Sequence, residues 1–362
     1  MKPLYFLIFI FTFNLANSQD ITAYRDYRNY FYVFDKGVQS EIETLSIKNY
    51  KIGQDCIEYR DYTGNLKVYY KGKVYDMYDA ADDYFVSKHF ALGLLNNQLK
   101  IFDKGNMITL STNIGTYAIA DSLVAFHDNE NMKFDVYYKK FIYQLEDVIV
   151  SNAITSFKAK GNMLAYIDSK SDFKMFYHGS VSTIISLNSV SPLLYDVGQD
   201  VVAYVNNDDQ SFNVYWAGQN YRIEDFSPAS FVAGSDFVAY VDNTGQFKIF
   251  SEGGVSLISE TTPAFYKVTD NIIVYSENGL FKANYKGASY ELEKYIPTDY
   301  QYDQGTIAYL DNIGSLILFN NGKKETVTYD VIKNYKINGS ILKYTTGNQT
   351  KIYYKSKLYD AE

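Results

Sequence analysis

The chain reads as a succession of short segments, about five residues each, in which aromatic or β-branched side chains alternate with polar ones. Turn residues punctuate the segments, and no stretch sustains a helical period. The pattern predicts an all-β protein with very little helix.

The segments recur as a unit. Tyr24, Tyr59, Leu94, Phe126, Tyr166, Tyr204, Tyr240, Tyr275, Tyr309 and Tyr344 form a column with successive spacings of 35, 35, 32, 40, 38, 36, 35, 34 and 35 residues. A second aromatic column follows eight to eleven residues later, from Phe34 and Tyr69 to Phe319 and Tyr353, with Asn284 as its one break. A third lies just upstream, from Tyr50 and Tyr84 to Tyr300 and Tyr335. It has nine members, because the N-terminal segment occupies the place of a tenth.

Turn chemistry divides each unit into strands. Gly53-Gln54-Asp55, Gly198-Gln199-Asp200 and Gly234-Ser235-Asp236 part the first strand from the second, and Asp-Asn-Thr-Gly at 242–245 parts the second from the third. Pairs such as Lys36-Gly37, Lys71-Gly72, Lys104-Gly105 and Lys286-Gly287 close the next hairpin. Gly and Asn accept positive φ, and Asp bonds nearby backbone, so these are tight-hairpin signals. Three hairpins give four antiparallel strands. Pro263 and Pro297 fall between units, where no ladder hydrogen bond is lost.

A single small sheet cannot bury both faces, whereas stacked neighbours can; the sequence therefore predicts a β-propeller of about ten four-stranded antiparallel blades. The aromatic columns become packing layers between blades. One large ring is preferred over two five-bladed rings cut near residue 156, since the spacing is regular and no linker divides the chain. Val-Ala-Tyr-Val-Asp at 238–242 and Met-Leu-Ala-Tyr-Ile-Asp at 163–168 resemble WD40-like propeller repeats of the TolB type. That resemblance implies the fold and a habit of binding partners, and it brings no site residues with it.

The N-terminus reads as a targeting segment: Lys2 near the start, an apolar run over 4–13, and Ala16-Asn17-Ser18 before Gln19. The run is too short to span a bilayer, which needs about 20 residues. Residues 1–18 are expected to be a signal peptide, 19–362 the repeat domain, and the mature protein periplasmic or extracellular. The whole chain carries 34 basic and 42 acidic residues. A net charge of −8 argues against nucleic acid or an anionic membrane as partner. Cys56 is the only cysteine, so no internal disulfide forms, and a buried thiol is expected.

Candidate chemistry is sparse. His89, His127 and His178 fall at different places in their units, which gives no convergent catalytic or metal site and no cofactor. Asp26, Asp61, Asp128, Asp168, Asp242 and Asp311 share one turn position and are read as turn formers. Arg25 and Arg60 are equivalent in the first two units and could bind an anion, although pairing with Asp26 and Asp61 explains them more simply. Trp216, beside Ala217-Gly218, is the candidate exposed anchor for a glycan. The leading expectation is a non-enzymatic scaffold that engages protein or glycan; the alternative is a lyase or hydrolase acting on polysaccharide.

Overall fold

The computed structural model describes residues 20–147, 156–188 and 193–361. Every regular element among them is a β-strand. β1 (Ile21–Arg25), β2 (Phe31–Asp35) and β3 (Val38–Glu43) form a three-stranded sheet, and β4 (Asn49–Ile52) opens the first of nine four-stranded sheets. All are antiparallel meanders in chain order. The blades span 21–43, 49–78, 83–111, 114–147, 156–186, 195–224, 230–259, 266–293, 300–328 and 332–361. First strands of neighbouring blades touch one another, which sets them around the axis, and fourth strands form the circumference.

Ten hydrophobic clusters each join two adjacent blades, and one of them joins blade 10 to blade 1. The molecule is therefore one closed ring, and the cluster of blades 4 and 5 runs unbroken past the place where a two-ring division would fall. All three aromatic columns face the preceding blade: Phe231, Tyr240 and Phe250 of blade 7 pack on Val214 and Ala203 of blade 6. The opposite face mixes small and large apolar residues, as Ala239 and Phe247 toward blade 8, where Phe247 meets the Tyr275 ring. Each blade thus lays its aromatic columns over a mixed apolar face of the blade before it, the ring contacts of the columns recurring from blade to blade.

Strand register corrects one column member. The upstream aromatic pairs with the column tyrosine in blade after blade, as Tyr50 with Tyr59 and Phe231 with Tyr240. In blade 3, Tyr84 pairs with Gly93, not Leu94. Gly93 stands at the tyrosine position because Met77 and Tyr78 of blade 2 fill the space; a Cβ there would meet Met77 Sδ at 2.6 Å and Tyr78 Cδ2 at 2.9 Å. Lys100 lies 4.2 Å over the Tyr78 ring. In blades 2, 5, 7 and 9 the column tyrosine bonds a glutamate from the preceding blade's outer strand, as Tyr59 to Glu43 at 2.9 Å and Tyr240 to Glu224 at 2.8 Å. A lysine then bridges that glutamate to the turn aspartate: Lys248 lies 2.9 Å from Glu224 and 2.7 Å from Asp242.

Closure uses no shared blade. Tyr24 and Phe34 pack on Ile341, Ile352 and Tyr354, and Phe34 meets the rings of Tyr354 and Tyr359 edge-on. Tyr354 donates to Asp20 at 2.6 Å and Gln39 to the Asp360 carbonyl at 2.9 Å. Lys343, at a position that holds alanine in most blades, donates to the Ala23 carbonyl at 2.7 Å, and Tyr50 donates to the same oxygen at 3.2 Å. Side chains thereby satisfy a carbonyl of β1 where blade 1 shows no inner strand among the described residues.

Glu58 is the other charged departure from that alanine position. It is fully buried toward blade 3, and neither carboxylate oxygen has a hydrogen-bond partner. Burial pushes its carboxyl well above the usual range, with Lys51 and Arg60 opposing. The unfolded chain ionises near 4.5 while the folded chain resists ionisation, so Glu58 destabilises increasingly as pH rises from there, and that pH-dependent cost vanishes at lower pH. Glu58→Gln should match wild type in thermal unfolding near pH 4 and exceed it by several degrees at pH 7–8. A gap that is constant with pH contradicts this account. Gly93→Ala should lose roughly 2 kcal/mol or more, with part of it recovered when Met77→Ala is added; denaturant titration of the double-mutant cycle reads the coupling.

Candidate functional site

The meander sends equivalent turns to equivalent sides. First-to-second and third-to-fourth turns lie on one side, the turn face; second-to-third turns and inter-blade connectors lie on the other, the connector face. The sequence-level candidates are split between the two.

On the turn face, a cavity of about 680 Å³ opens at the axis, bordered by Lys88, His89, Asp121, Asp200, Asp236 and Asp270 among others. The first turns of successive blades are stitched together by backbone: Gln54 donates to the Lys88 carbonyl at 2.8 Å, Ser122 to Gly161 at 2.8 Å, Asp200 to Ser235 at 2.7 Å and Ser235 to Asp270 at 2.7 Å. Lys88 projects from blade 3 and pairs with Asp121 at 2.5 Å and with Asp270 of blade 8. It therefore staples opposite sides of the mouth. Burial works against its charge, but Asp121 and Asp270 outweigh that and hold the ammonium above its ordinary range. Burial raises the carboxyls of Asp236 and Asp303.

The histidines do not converge. His89 contacts Asp55 at 2.8 Å, His127 stacks on Phe157 near the connector face, and His178 stacks on Tyr177. Among the described residues no cluster of His, Cys, Asp or Glu has the geometry to hold a metal ion. Cys56 is buried. Trp216 is half-buried between blades 6 and 7, edge-on to Phe250 at 6.4 Å.

On the connector face, Arg25 and Arg60 do not form the expected pairs. Asp26 is held by Arg28 at 2.7 Å. Arg25 instead donates to the Lys48 carbonyl at 2.9 Å, and Arg60 to the Ala81 carbonyl at 2.8 Å. Each guanidinium clasps the connector into the next blade, a target that lies out of reach until the blades stack. The turn aspartates behave as read: Asp242 Oδ1 accepts from Thr244 and Gln246 backbone N–H at 2.8 and 2.9 Å, and Asp311 accepts likewise from Ile313 and Ser315.

Sequence reasoning missed two features. Lys88 was legible only as a turn reading Ser-Lys-His where three other units put Gly-x-Asp. The second is apolar: Tyr27 is 84% exposed, Tyr329 80%, Val331 85% and Ile313 77%, all in turns or connectors of one face. They fall on blades 9, 10 and 1, with Tyr62 of blade 2 continuing the series. Beside them a cavity of about 500 Å³ is lined by Arg25, Tyr27, Arg28, Asn348 and Asp360.

The family described as "10-bladed beta propeller domain" matches residues 15–359, and the chain belongs to it. No curated protein matches. Among solved structures, the computationally designed Ika8 protein is 14% identical, with a TM-score of 0.37, over 85% of this chain and 96% of its own. PorZ, a surface component of the type-IX secretion system of Porphyromonas gingivalis, is 10% identical, with a TM-score of 0.30, over 95% of this chain and 59% of its own. The CRINKLY WD40 ectodomain of the Arabidopsis thaliana receptor kinase ACR4 is 9% identical, with a TM-score of 0.33, over 66% of this chain and 91% of its own. Likenesses at this level bear on neither partner nor activity.

The Lys88 staple is testable by stability. Lys88→Met should cost roughly 1–3 kcal/mol in denaturant unfolding, with part recovered by adding Asp270→Asn. Because the folded pKa lies above the ordinary 10.5, the staple's contribution is complete below that value and is lost as pH rises through the folded pKa. The difference between wild type and variant should accordingly hold through neutral pH and close only in strong alkali. An unchanged midpoint for the single variant contradicts the staple.

Proposed function

We propose that this member of the ten-bladed family is an exported binding scaffold, without chemistry of its own, that docks a partner protein on its connector face. The observation that carries the reading is the run of exposed apolar side chains Ile313, Tyr329, Val331, Tyr27 and Tyr62 across consecutive blades. Monomers rarely leave such a patch open, and tyrosine is a preferred anchor at protein interfaces. Tyr27 and Arg25 border a cavity deep enough to receive a partner side chain.

Other features support the reading. The TolB-type likeness at 163–168 and 238–242 fits a partner-binding role, and the signal-like residues 1–18, which lie outside the described residues, fit a periplasmic or extracellular place. A polysaccharide-cleaving enzyme needs acid and base groups gathered in one cleft. Here Lys88 is consumed by two carboxylates, and Arg25 and Arg60 by backbone carbonyls.

The test combines a variant with in-cell cross-linking. A photo-reactive residue at Tyr329 should yield one defined cross-linked species in intact cells, and mass spectrometry of the mature chain should find Gln19 at its start. Adding Tyr27→Ser, Tyr62→Ser and Val331→Ser should reduce that species roughly tenfold or more without shifting thermal unfolding. Undiminished cross-linking in the variant, or a diffuse set of products in wild type, rejects the connector face as the docking surface.

A further inference from the structure

The third-to-fourth turns place lysines on the turn face at the outer radius. Lys36, Lys71, Lys104, Lys139, Lys286 and Lys355 hold the same turn position in blades 1, 2, 3, 4, 8 and 10, and all are exposed. Blade 9 has Asn321-Gly322 at that turn and offers Lys323 one residue later. Blades 5, 6 and 7 put His178, Ala217 and Glu252 there. The lysines therefore form a continuous arc over seven neighbouring blades and stop.

Turn chemistry does not ask for lysine. The position has φ between 48° and 52° in all six, a left-handed conformation in which Asn or Gly is favoured and a long side chain costs of order 1 kcal/mol. Blade 9 shows that Asn321 serves equally well, with φ of 50°. The charges are also unspent. Among the described residues Lys36, Lys71, Lys104, Lys139 and Lys286 form no ion pair; Lys355 reaches Asp20 only at 3.4 Å and Lys323 reaches Glu325 only at 3.6 Å. Lys71, Lys139, Lys286 and Lys355 each stand over the preceding tyrosine ring, 4.7–5.4 Å from its centroid, which fixes the ammonium in place without neutralising its charge.

We propose that this arc binds a linear acidic polysaccharide laid along the rim of the turn face. One ammonium per blade suits a long chain with regularly spaced carboxylate or sulfate groups, which a compact ligand could not span. The acids at the mouth, Asp200 and Asp236 together with Asp121 and Asp270, which share the one cation Lys88, lie inside the arc with a net negative charge that turns a polyanion from the axis, so it follows the rim. A flat anionic membrane would have to meet those acids as well. Single-stranded nucleic acid would need open aromatic faces for its bases, and the tyrosine rings at Lys71, Lys139, Lys286 and Lys355 are capped by lysine; duplex DNA is set against the polysaccharide in the test. The proposal extends the scaffold reading but stands on other residues and on the opposite face.

The test uses the full mature protein and the variant Lys36→Asn, Lys71→Asn, Lys104→Asn, Lys139→Asn. Asparagine suits the turn, so the variant should unfold at the wild-type temperature or above it. Titration with polygalacturonate at about 25 and about 200 mM salt should show wild-type binding that weakens steeply with salt, and a variant weakened roughly tenfold or more with a shallower salt slope. Neutral dextran of matched length should not bind. The proposal is overturned if the variant binds as wild type does, if wild type binds neither polygalacturonate nor a sulfated glycan at low salt, or if duplex DNA or anionic vesicles bind equally well. Cross-linking at Tyr329 should persist in the lysine variant, which separates failure here from failure of the connector-face docking.

Discussion

The ring depends on one contact repeated ten times: the aromatic columns of each blade packing on the apolar face of the blade before it. A column tyrosine such as Tyr240, its cross-strand partner Phe231 and the adjacent Phe250 present their rings together, while Ala203 leaves room for them and Phe212 meets Phe231 and Tyr240 ring to ring. Each large buried side chain contributes roughly 1.5–3 kcal/mol, and no blade can collect that alone. Nearest-neighbour packing then dictates everything else. Blade 1 turns Tyr24 and Phe34 outward with no earlier blade in sequence to cover them, so the chain is completed only when blade 10 arrives more than 300 residues later.

That closing interface is where the repeat is most altered. The position that is alanine in most blades is Lys343 in blade 10, facing blade 1, and Glu58 in blade 2, which faces blade 3 and so lies one interface beyond the seam. Lys343 has an evident purpose, because it reaches Ala23 of blade 1 and Tyr50 of blade 2 and ties three blades together. Glu58 has no partner of its own, and Lys51 and Arg60 only moderate its burial. The exposed apolar patch and its cavity lie over the same seam.

Features that repeat were legible in the sequence, and features that require two blades to meet were not. The columns, the three hairpins and the count of nine inner strands follow from local chemistry that recurs, and register bears them out in detail. Leu94 was misplaced by one residue because an apolar run, Phe90 to Leu95, does not reveal which face each residue takes; only the paired substitution of Gly93 and Tyr78 across two blades fixes it. Arg25 and Arg60 were expected to pair with their sequence neighbours, yet their targets belong to the next connector. Lys88 finds Asp270 across 182 residues, a distance that no local pattern spans.

Overall charge misleads for a related reason. A repeat turns each sequence position into a ring at fixed radius and height, so residue types that alternate along the chain become segregated in space. The first turns carry aspartates and collect around the axis, whereas the third turns carry lysines and collect at the rim of the same face. A net charge of −8 averages over both rings and describes neither. Screening in physiological salt acts over about 8 Å, so a ligand at the rim responds to the nearest turns rather than to the whole molecule. What excludes a polyanion from this protein is thus local to the mouth, and the three blades that lack a turn lysine give the rim a beginning and an end.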